Sequence, residues 1–73
     1  MDHGEPEIIV MVDGFAERLP AGVNLTALIL RQQAQHKDLV VEVNGRFVHP
    51  RDYEAVILCD GDRVELIHPA FGG

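Results

Sequence analysis

The chain has 73 residues, 47% of them hydrophobic and 25% charged, with a formal net charge of −6. A chain this short folds as one domain, buries only about 60–65% of its unfolded surface and has no depth for an enclosed catalytic cleft, which favours a carrier or binding role over a self-contained enzyme. The acidic balance argues against nucleic acid, which selects basic surfaces, and suits a protein partner with a basic face.

Residues 1–6 are polar, contain Gly and Pro, and read as a loose leader. Residues 7–12 (EIIVMV) are apolar and rich in β-branched residues, which predicts a strand with Ile8, Val10 and Val12 on one face. Asp13-Gly14 suits a two-residue hairpin turn. Residues 15–19 (FAERL) then form the return strand, stopped by Pro20 and Gly22.

Asn24 is a suitable N-cap. Leu25, Leu28, Ile29 and Gln32 follow at i, i+3, i+4, i+7, the stripe of a helix running to about Gln35, with Leu30 off the stripe. Residues 39–43 (LVVEV) predict a third strand and Asn44-Gly45 a second turn. Residues 46–48 form a short strand ended by His49-Pro50. Residues 51–58 read as irregular, with a helical turn around Tyr53. Asp60-Gly61-Asp62 is a third turn, and residues 63–68 (RVELIH) are the last strand.

This order predicts an α+β fold in which a mixed sheet of four to five strands wraps on one helix. The helix crosses from the second strand to the third, as crossover helices between parallel neighbours do. Ile8, Val10, Val12, Leu25, Leu28, Ile29, Val41, Val43, Val64 and Leu66 are expected to supply the core. Phe47, Leu58, Ile67 and Phe71 are the apolar residues left for a partner-facing side.

The single cysteine, Cys59, excludes an internal disulfide and fits a reducing compartment. It reads as a half-buried small apolar residue rather than a reactive thiol. With no signal-peptide pattern and no apolar run near ~18 residues, the expected location is cytoplasmic, with no membrane span. His3, His36, His49 and His68 are too scattered for a zinc pattern, so no metal site is expected. Asp60 and Asp62 sit in a turn, not a cleft. Arg46, Arg51 and Arg63 are candidates for salt bridges or a docking edge.

The last two residues are Gly72 and Gly73. Glycine has no Cβ, so a Gly-Gly end can thread a narrow channel and present its carboxylate to another protein's active site. Residues 69–73 are expected to form a mobile tail.

Several segments together carry a resemblance: Val-Asn-Gly (43–45), Phe-Val-His-Pro-Arg (47–51), Asp-Gly-Asp-Arg-Val-Glu (60–65) and the final Gly-Gly. In that order they resemble the ubiquitin-like sulfur carriers of the thiamin-biosynthesis ThiS type, over roughly residues 8–73. The resemblance implies one β-grasp (ubiquitin-like) domain over residues 1–73. It also implies a carrier cycle. An adenylating, ThiF-like partner uses Mg-ATP to activate the Gly73 carboxylate. A persulfide sulfur donor converts it to a thiocarboxylate, and thiazole synthase receives the sulfur. The chain itself would bind no cofactor and catalyse nothing. Two features depart from the pattern: His49 stands between Val48 and Pro50, and Pro69 lies near where the molybdopterin-synthase small subunit has its own proline-rich approach to Gly-Gly. A sulfur carrier for molybdopterin or another pathway, and a ubiquitin-like protein modifier, are the alternatives.

Overall fold

A computed structural model describes residues 4–68. Strand β1 (Glu7–Val12) and strand β2 (Phe15–Pro20) form an antiparallel hairpin in which Val12 faces Phe15 and Glu7 faces Pro20. Asp13 and Gly14 have φ of 51° and 87°. A turn matched to the right-handed strand twist needs positive φ at both central residues, which Asp-Gly tolerates.

Helix α1 (Leu25–Arg31) begins at Asn24, whose side-chain oxygen accepts from the Ala27 N–H at 2.8 Å. The expected extension to Gln35 does not occur. Gln33 turns left-handed with φ 54°, its N–H donates to the Leu30 carbonyl, and the Ala34 N–H reaches back to the Ile29 carbonyl, each at 3.0 Å. This is a Schellman ending, with Ala34 buried beside Ile29. Hydrophobic period cannot reveal it, because Gln33 is a poor signal for a left-handed residue.

Strand β3 spans Val40–Val43, one residue shorter than expected, and strand β4 spans Arg46–Val48. Asn44 and Gly45 join them with φ of 54° and 83°. A 3-10 helix, Pro50–Ala55, carries Tyr53, and strand β5 (Arg63–Ile67) closes the fold.

The five strands lie in the order β2-β1-β5-β3-β4. The sheet is mixed: β5 runs parallel to β1 and antiparallel to β3. The helix therefore does not join neighbours. β2 and β3 do point the same way, but β1 and β5 stand between them. Each hairpin keeps its two-residue turn, and the last strand fills the gap that both leave open. A strand with partners on both sides satisfies its backbone groups on both edges.

The helix covers one sheet face. Val10, Val12, Leu25, Leu28, Ile29, Val41, Val64 and Leu66 are buried as expected, while Ile8 and Val43 are half-buried at the margin. Leu19, Val23, Ala34, Leu39 and Leu58 complete the core. Leu58 was expected on the partner-facing side and is instead 2% exposed. Its N–H donates to the Val23 carbonyl at 2.9 Å, and the bridge between Asn24 and Ile57 holds this segment against the start of α1. That pins Leu58 inward and leaves Ile57 exposed.

Candidate functional site

β5 carries the chain up the middle of the sheet and delivers it to His68. Phe71, Gly72 and Gly73, together with the expected mobility of residues 69–73, lie outside the described residues. What the structure describes is the platform from which that segment continues.

Alternation along β5 sends Val64 and Leu66 into the core and Arg63, Glu65 and Ile67 to the open face. Cross-strand pairing extends that face. Phe47, Glu42 and Glu65 form one row across β4, β3 and β5, and Val40 and Ile67 form the next. Phe47 is 58% exposed and Ile67 39%. The ring of Phe47 stands edge-on to that of His49, with centroids 5.5 Å apart. Two of the expected partner-facing residues, Phe47 and Ile67, thus share the open face, and Leu58 does not. Ile9 on β1, also exposed, belongs to that face. The signal for it was present in the sequence, since Ile9 alternates against Ile8 and Val10. Phe47, Val40 and Ile67 thus form a small apolar grouping beside Glu42 and Glu65, the kind of exposed apolar grouping that marks interaction sites, while Ile9 lies towards the other end of the sheet, beyond Arg63.

The remaining candidates have structural roles. Asp60 accepts from the Ile9 N–H at 2.7 Å, and Asp62 accepts from the Cys59 N–H at 2.7 Å and from the Asn44 amide at 2.9 Å. These carboxylates hold backbone, and no cleft brings them to a substrate. Cys59 is exposed, not half-buried, because the turn at Gly61 carries it away from Leu58 and out of the core. Arg46, Arg51 and Arg63 form no ion pair among the described residues. Arg18 and Glu7 do, at 3.5 Å and in solvent, where such pairs contribute little.

His49 is the extended residue before Pro50, at φ −69° and ψ 141°, a conformation the following proline favours. His49 therefore sits before Pro50 without backbone strain. His36 and His68, distant in sequence, meet edge-to-face with ring centroids 5.9 Å apart. His68 Nε2 lies 3.2 Å from the Ala34 carbonyl oxygen. His36 Nδ1 accepts from the Asp38 N–H at 3.0 Å. Among the described residues no group of three or more His, Cys, Asp or Glu is placed to hold a metal. None of the described helices is long and apolar enough to cross a membrane.

Beside the His36–His68 contact a cavity of about 260 Å³ opens, lined by Thr26, Ile29 and Leu30 of α1, Gln35, His36 and Leu39 of the following loop, and Tyr53. Burial there holds the Tyr53 hydroxyl pKa above its ordinary value.

A family model described as the ThiS family matches residues 6–73. The chain belongs to the ThiS family. It is accordingly a ubiquitin-like sulfur carrier by type, and its five-stranded mixed sheet over one helix is the β-grasp fold of ThiS. Among solved structures the chain is similar to the thiamine biosynthesis protein (ThiS) from Geobacter metallireducens, with a TM-score of 0.78 and 28% sequence identity over 90% of this chain and 100% of that one. No curated protein matches. The ThiS match covers all five strands and continues through Phe71, Gly72 and Gly73.

Proposed function

We propose that this protein carries sulfur for thiazole formation in thiamin biosynthesis, on the carboxylate of Gly73. The observation that supports this reading is the ThiS match, which spans residues 6–73 and so reaches from β1 to Gly73. A carboxylate is a poor electrophile until one of its oxygens becomes a leaving group. In the proposed cycle a ThiF-like adenylating enzyme, using Mg-ATP, converts Gly73 to the acyl-adenylate and releases pyrophosphate. The outer sulfur of a persulfide then attacks the carbonyl and expels AMP. A second thiol cleaves the S–S bond, becoming a disulfide, and leaves the thiocarboxylate. Splitting one hard substitution into two easier ones is the logic of covalent catalysis. Thiazole synthase accepts the sulfur. ATP and magnesium belong to the adenylating enzyme, and this chain is its protein substrate.

Gly72 keeps the approach to the reacting carbonyl free of side chains. Phe47 and Ile67 on the open face, with Phe71 on the tail, are the proposed partner contacts, and the chain's negative charge steers encounter with a basic surface.

The test is intact-mass measurement of the wild type and a Gly73 deletion after incubation with an adenylating enzyme, Mg-ATP and a sulfur source. The wild type gains about 16 Da as sulfur replaces oxygen, and the deletion gains nothing. Equal conversion of the truncated chain would place the chemistry elsewhere and end the carrier reading. A covalent adduct to a protein amine would show a modifier instead.

A further inference from the structure

Glu42 on β3 and Glu65 on β5 stand directly opposite each other in the antiparallel pair. Alternation along β5 turns Glu65 to the open face, and the pairing sets Glu42 beside it. Like charges placed directly opposite in a sheet destabilise it. Nothing in the domain offsets this pair: among the described residues the one ion pair joins Arg18 and Glu7. Arg63, two positions away along β5 on the same face, bridges to neither glutamate. We propose that the two glutamates are the seat for an arginine of the adenylating enzyme, so that the partner brings the cation that the free chain lacks.

The surroundings select the occupant. Phe47 is 58% exposed and is the cross-strand partner of Glu42, so its ring completes a row with the two carboxylates across β4, β3 and β5. Directly opposite residues have Cβ atoms about 4.5–5.5 Å apart. One planar group can therefore bridge both carboxylates beside the ring. A guanidinium offers a fork of donors to carboxylate oxygens and a flat face that stacks on an aromatic ring. An ammonium is a compact point charge without that face. Val40 and Ile67, in the next row, form an apolar border on which the aliphatic stem of an arginine can lie.

The pair costs stability in the free chain and returns it in the complex. Any of the 12 acidic residues can help steer a basic surface towards the chain. Two carboxylates face to face beside an exposed ring do more, because they fix where one cation goes and in what orientation. This inference rests on the carrier reading for the identity of the partner. The arrangement of Phe47, Glu42 and Glu65 stands without it.

The first measurement needs no enzyme. N-acetylargininamide is titrated into the isotope-labelled full chain and followed by NMR, with N-acetyllysinamide at the same ionic strength for comparison. The arginine compound is expected to shift the backbone amide signals of Glu42, Glu65 and Phe47, the lysine compound to shift them less, and Glu42→Gln and Glu65→Gln each to lose the response. Both variants are expected to raise the urea midpoint, because the like charges no longer face each other. The second measurement follows conversion of Gly73 by mass with an adenylating enzyme, Mg-ATP and a sulfur source. Each variant is expected to raise KM about tenfold, the scale of one lost charge-assisted hydrogen bond. Glu54→Gln, which removes the same charge from the 3-10 helix packed against α1, changes neither KM nor the NMR response. Equal shifts from the two compounds overturn the proposal, as do an unchanged KM in both variants and a urea midpoint that falls, since the pair would then stabilise the free chain. A wild type that is not converted at all defeats the carrier reading instead, and the argininamide shifts then decide the seat alone.

Discussion

Asn44 and Asp62, on turns at the same end of β3 and β5, meet side chain to side chain: the Asn44 amide donates to Asp62 at 2.9 Å. The Asn44 amide oxygen accepts from the Arg63 N–H at 2.9 Å, and its backbone N–H donates to the Arg63 carbonyl at 2.7 Å. One asparagine thus turns the β3–β4 hairpin and fixes the register of β5. Asn44→Asp keeps a residue tolerant of positive φ but sets a carboxylate against Asp62. It is expected to lower stability by about 1–2 kcal/mol in urea unfolding, from lost hydrogen bonds and like charge. Asn44→Gly, which loses the bonds without adding charge, loses less. Equal losses in the two variants would show that charge plays no part.

Gln33 occupies the left-handed position that ends α1. A side chain there carries a steric cost that glycine lacks. Gln33→Gly is expected to stabilise the protein by up to about 1 kcal/mol, read as a higher urea midpoint at unchanged slope. A lower midpoint would mean that glycine's greater freedom in the unfolded chain outweighs the relief.

Leu28 is fully buried and Leu30 is exposed, two residues apart on the same helix. Leu28→Ala is expected to cost about 2–5 kcal/mol through lost contacts and a cavity. Leu30→Ala, by contrast, falls within about 0.5 kcal/mol of the wild type. A loss below about 1 kcal/mol for Leu28→Ala would contradict the packing described for α1.

Burial raises the pKa of the Tyr53 hydroxyl above its ordinary value of about 10. The folded state therefore holds this proton to higher pH than the unfolded chain does. The resulting stability is fully present below about pH 10 and is lost as pH rises through the folded-state value. Urea unfolding at neutral pH and above pH 10 checks it: Tyr53→Phe is expected to lose less stability than the wild type over that interval. Identical losses would exclude Tyr53 as a source of alkaline sensitivity.

Phe47 projects from the open face and makes no core contact that a charge would disturb. Phe47→Lys, which sets an ammonium opposite the Glu42 carboxylate, is expected to leave the unfolding midpoint nearly unchanged and to weaken binding to the adenylating enzyme at least tenfold, or about 1.4 kcal/mol, as loss of an aromatic anchor does. Unchanged affinity by calorimetry would place the docking surface elsewhere.

Much of the fold is legible in the sequence because its signals are local. Asp13-Gly14 and Asn44-Gly45 specify their turns through the φ of two residues. Asn24 caps α1 through a bond to a residue three positions on. Alternation within single strands assigns Val10 to the core and Phe47 and Ile67 to the open face. The role proposed for Gly72 and Gly73 rests on their lack of a Cβ, which the sequence alone supplies. Tertiary structure decided what no local signal encodes. β5 lies between β1 and β3 because both hairpins leave an inner edge unpaired, a relation among strands up to fifty residues apart. Leu58 is buried because a bridge to the start of α1 fixes an otherwise irregular segment. His36 meets His68, beside the cavity at the root of the tail, only because the turn after α1 and the end of β5 reach the same edge of the sheet. Side-chain period and turn chemistry act over a few residues, whereas strand order and the burial of loops depend on which edges and apolar surfaces remain free once the other elements have packed.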